Sequence, residues 1–129
     1  MGTWDLGPFD NDDAADFLYE VQDAAGWGPA VAAMAKVLIT VGYLEAPESQ
    51  RGLAAAALVA SRRSPGSVKI EATQEAIAAT LPPPPYFAPY LAKLTIGRVI
   101  SRSELADLWA EGSELEAWRT ETRRVLQAL

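Results

Sequence analysis

The chain has 129 residues, half of them apolar, with eleven bases, seventeen carboxylates, and neither His nor Cys. A length and composition of this kind predict a single globular domain over residues 1–129, burying about two-thirds of its unfolded surface. The net charge of −6 argues against general nucleic-acid binding. Without His or Cys, disulfides, thiolate chemistry, His-dependent triads and Cys/His zinc sites are excluded.

Residues 1–10 read as an extended lead-in. Gly and Pro break any helix there, and Trp4, Leu6 and Phe9 are the expected anchors on the core. Asp10 is the expected N-cap of a first helix over residues 11–24, with Asp13 placed to reach back to it. Asp12, Asp13 and Asp16 crowd the first turns, where the helix dipole favours negative charge, and Gly26 supplies the stop. A second helix starts at Gly28-Pro29 and runs to Gly42; it is apolar nearly all round, which predicts a central, buried position. A third opens at Pro47 and carries Leu53, Ala54, Ala57, Leu58 and Ala60 inward, with Arg62 and Arg63 in its last turn. Alanine in both predicts that the second and third helices approach closely as a pair.

A turn at residues 64–67 leads to a shorter fourth helix over residues 68–80. Four prolines at 82–85 form an extended, stiff connector. Residues 86–100 give a fifth helix. Ser101-x-x-Glu104 and Ser113-x-x-Glu116 are capping boxes for a sixth and a seventh, with Trp109 and Trp118 as packing residues alongside Trp27. The expected fold class is therefore all-α: a compact bundle of six or seven helices with the lead-in packed on the core.

The longest apolar run, residues 30–44, contains Lys36 and is too short to span a bilayer, so no membrane association is expected. The opening lacks the pattern of a signal peptide, and the absence of Cys fits a reducing cytoplasm.

GTWDLGPFDNDDAADF at the start resembles the opening of the bacterial family known as domain of unknown function 4259. YLEAPESQRGLAAAALVA at 43–60, the segment around Arg98 and Val99, SELADLW at 103–109 and EAWR at 116–119 agree with it in order. The resemblance covers nearly the whole chain and is weakest at Gly26-Trp27-Gly28 and at LTIGRVI, residues 94–100. It supports the helical fold and implies no activity, substrate or cofactor. Residues 10–13 and 44–51 are the two places it singles out.

Asp10, Asn11, Asp12 and Asp13 offer the oxygen ligands that hard cations prefer. As a calcium loop the stretch fails at once: Ala14 replaces a ligand, Ala15 stands where Gly is needed, and Val21 holds the bidentate Glu position. A non-standard site recruiting Glu45 or Glu48 is one reading; a helix cap surrounded by dipole-favoured acids is the simpler one. Glu48 and Arg51 share a helical face. The reading adopted makes Arg51 the counter-ion that locks the acidic turn onto the third helix. Trp4 is either an interface anchor or part of the core.

No arrangement of carboxylates marks a catalytic cleft, and no cofactor is expected. Residues 1–50 hold nine carboxylates and one base, a charge of −8, while residues 51–129 hold eight carboxylates and ten bases, a charge of +2. That split predicts a non-catalytic cytoplasmic module whose acidic N-terminal half meets a protein partner, possible self-association included. The alternatives are a divalent-cation site at the acidic turn and a homodimeric scaffold built on Trp4 and apolar helix faces.

Overall fold

The computed structural model describes residues 6–68 and 71–129, so Trp4 lies outside the described residues. Seven helices follow one another: α1 (Asp12–Ala24), α2 (Gly28–Ile39), α3 (Ala46–Arg63), α4 (Ala72–Thr80), α5 (Ala88–Ser101), α6 (Glu104–Ala110) and α7 (Leu115–Gln127). No strand occurs among the described residues, and the all-α expectation holds.

The centre of the bundle is α3, not α2. It packs against each of the other six helices, and residues 52–61 are buried without a break. A helix surrounded on every side must be thin. Gly52, Ala54, Ala55, Ala56, Ala57 and Ala60 keep this one thin, while Leu53, Leu58 and Val59 fill the wider gaps. By contrast, α2 buries one stripe, Ala30, Met34 and Val37, and leaves Ile39 71% exposed. Its apolar composition suggested centrality; side-chain size decided otherwise.

At Gly52 the packing leaves no room for a side chain. A methyl group there would lie 2.5 Å from Val37 Cγ2 on α2 and 3.2 Å from Thr95 Cγ2 on α5. Val37 and Thr95 are themselves fully buried and β-branched, so neither can swing aside cheaply.

Side chains reaching backbone carbonyls fix the connections. Arg98 on α5 donates from Nη1 to Thr40 O at 3.0 Å and from Nη2 to Gly42 O at 2.8 Å, clamping the α2–α3 link. Gly42 adopts φ of 88°, the left-handed conformation that favours glycine. Trp27 Nε1 donates to Pro82 O at 2.7 Å and Arg62 Nε to Leu81 O at 3.1 Å, tying the proline run to the core. Trp27, Trp109 and Trp118 are all buried, and the last two stack with centroids 6.1 Å apart.

Several helix ends differ from expectation. α6 is capped by Ser103, whose Oγ accepts from Ala106 N at 3.0 Å, and Ser101 instead donates back to Gly97 O within α5. Glu104 serves another helix: its Oε1 accepts Ala46 N at 2.8 Å at the start of α3, while its own N–H donates to Leu44 O at 2.8 Å. α7 starts after Glu114 with no side-chain cap, so Ser113 plays no such role. α1 ends on Ala25 in the left-handed region, one residue before Gly26.

Two glycines inside helices test this packing. Overpacking costs about 1–3 kcal/mol against roughly 1 kcal/mol of helix propensity gained, so Gly52→Ala lowers stability in urea unfolding. Gly97 in α5 has open space around the position its methyl group would take, with no atom within 4 Å. Gly97→Ala therefore raises stability by on the order of 0.5–1 kcal/mol.

Candidate functional site

The acidic turn begins as a closed loop. Asp10 N–H donates to Gly7 O at 3.1 Å, and Gly7 N–H donates to Asp10 Oδ2 at 3.0 Å. This pair folds residues 7–10 into a turn that buries Phe9. Asn11, not Asp10, is the N-cap: its Oδ1 accepts from Ala14 N at 2.7 Å, and the residue is 4% exposed. Position N3 is therefore Ala14, and Asp13 has no reciprocal capping role. Asp12 and Asp13 stand in the first turn of α1, exposed and half-buried respectively. The dipole and water account for their charge there.

Arg51 does not lock this turn. It pairs with Glu20, further along α1, and its guanidinium lies 5.6 Å from the centroid of the Phe17 ring. Arg51 thus joins α3 to the middle of α1. Glu48 lines a shallow groove of about 240 Å³ with Glu20, Lys36 and Arg51, two acids facing two bases. Glu48 and Arg51 therefore share one site with each other, and residues 10–13 form a separate one. Among the described residues no three carboxylates come together to hold a metal ion.

Sequence reasoning missed the larger groove. It has a volume of about 500 Å³ and runs between α1 and α4, with Ala15, Leu18, Tyr19 and Gln22 on one wall and Ala76 and Ile77 on the other. Positions 15, 18, 19 and 22 form one stripe of α1, which adjoins the core set of Ala14, Phe17, Leu18 and Val21 and shares the buried Leu18 with it. Helical geometry puts Asp12, Asp16 and Asp23 on the adjoining row, beside Tyr19. All three carboxylates are exposed, and Tyr19 is 68% exposed. The available signal was the second apolar stripe of α1, hidden because Ala15 and Gln22 dilute it.

In the α2–α3 link, Tyr43 donates its hydroxyl to Asp107 Oδ2 at 3.1 Å. Partial desolvation first, then this bond and the carboxylates of Asp107, Glu104 and Glu111, hold the phenol above its ordinary range. No helix among the described residues is long and apolar enough to cross a membrane.

The sequence model of a family described as domain of unknown function (DUF4259) matches residues 2–121, and the chain belongs to that family. No curated protein and no solved structure matches it.

The cap assignment predicts that Asn11→Ala lowers unfolding free energy by about 1 kcal/mol, whereas Asn11→Asp keeps most of it. Thermal melts are expected to stay unchanged on adding calcium, magnesium or manganese, since binding to the folded state alone would raise the midpoint.

Proposed function

We propose that this protein is a non-catalytic interaction module that receives a basic, amphipathic segment of a partner protein along the outer side of α1. The observation that carries the reading is the juxtaposition of an apolar groove of about 500 Å³ with a row of exposed carboxylates. Tyr19 on α1 and Ile77 on α4 offer apolar contact over the buried Leu18, and Asp12, Asp16 and Asp23 offer charge to Lys or Arg at the edge of the groove. Tyr19 combines a large apolar ring with a polar tip, the kind of side chain that interfaces favour. A cytoplasmic setting goes with this reading, because a chain without Cys has no need of an oxidising compartment.

The cation reading has no convergent set of ligands in its favour among the described residues. Self-association keeps one supporting observation. Tyr86 just ahead of α5, and Tyr90 and Leu94 along it, are exposed at four-residue spacing. Light scattering that finds a monomer across the accessible concentration range removes that reading.

The test of the main proposal uses a synthetic helical peptide with Leu on one face and Lys on the other. Calorimetry is expected to show binding that weakens with salt, and NMR shifts should cluster at Tyr19 and Ile77. Each exposed charge pair contributes about 0.5 kcal/mol, so replacing Asp12, Asp16 and Asp23 together by Asn weakens binding about tenfold. Affinity indifferent to both salt and this triple substitution, or shifts centred elsewhere, would overturn the proposal.

A further inference from the structure

Where the lead-in turn crosses α3, α6 and α7, a small cavity of about 10 Å³ is lined by residues that include Gly7, Pro8, Gln50, Trp109 and Trp118. Gln50 and Trp109 are 2% and 8% exposed. Gln50 Oε1 and Trp109 Nε1 are both buried without a hydrogen-bond partner. One is an acceptor and the other a donor, and both side chains line the same cavity.

Two such groups left unmade would each cost about 1–3 kcal/mol, a burden that native interiors rarely carry. They do not bond each other. A volume of this size holds about one water, which needs at least two polar partners. The stacked rings of Trp109 and Trp118, 15° from parallel, contribute to the lining of the site.

We propose that a single buried water occupies this cavity, accepting the Trp109 indole N–H and donating to Gln50 Oε1. The site has one ligand class, and its role is to join segments far apart in sequence. Gln50 belongs to α3, Trp109 to α6, and Gly7 and Pro8 roof the cavity from the lead-in turn. Gly7 and Pro8 cover such a water, so its lifetime reports how firmly the 7–10 turn sits on the core.

The deciding experiment is a water-selective rotating-frame Overhauser spectrum of the full, ¹⁵N-labelled chain, read at the tryptophan indole signals. Trp109→Phe identifies the Trp109 signal by its loss, and backbone-linked assignment serves if that variant does not fold. The expected result is a cross-peak from Trp109 to a water whose laboratory-frame counterpart has the sign of a long-lived complex. Gln50→Leu should abolish that cross-peak, with Gln50→Met as the substitute if the first variant is unstable. Absence of a water cross-peak at Trp109 in the unaltered chain, or its persistence when Gln50 is replaced, would overturn the proposal.

Discussion

A helix slender enough to be enclosed on all sides is the condition on which this structure rests. Where α2 and α5 press on α3 there is no room for a methyl group on Gly52, and for the next nine residues every α3 side chain is buried. Alanine contributes little apolar area of its own. Its value is that it lets larger side chains on neighbouring helices reach each other across a small gap, where dispersion contacts are numerous. Phe17, Met34, Leu44, Ile96, Leu105 and Val125 are the large residues gathered in this way, each from a different segment.

Once α3 is enclosed, the connections follow from backbone accounting. Carbonyls in the links and the starts of helices need partners, and side chains from distant elements supply them. Arg98 satisfies the carbonyls of the α2–α3 link, Glu104 caps α3 from another helix, and Trp27 holds the proline run. These bonds commit α5, α6 and the 40–45 link to structure. The outer row of α1 and the short α4 carry fewer such duties, and the groove between them with its acidic edge is where the proposed partner would sit.

Much of the architecture was legible in the sequence because helix punctuation is local chemistry. Pro29 and Pro47 near helix starts, four prolines at 82–85 and the Gly-rich lead-in put the elements within a few residues of their observed bounds. Burial rank was misread at α2, since apolar composition reports what a helix prefers while side-chain volume decides how many neighbours it can accept. Cap partners were misassigned for a related reason. Asp10, Asn11, Ser101 and Ser103 are all competent caps, and only the path of the chain selects among them. The partner of Arg51 was equally out of reach: the spacing placed it beside Glu48, the reading adopted gave it the acidic turn, and tertiary packing supplied Glu20. The candidate groove requires α4 to lie against α1, a pairing across more than fifty residues that no local pattern encodes.

Native-state hydrogen exchange, resolved residue by residue, tests the central claim most directly. If α3 is the enclosed core of the bundle, the amides of residues 53–61 exchange slowest of all, only through global unfolding, with a free energy equal to that from denaturant. Slower exchange in α2 than in α3, or exchange of residues 53–61 through local opening well below the global free energy, would contradict it.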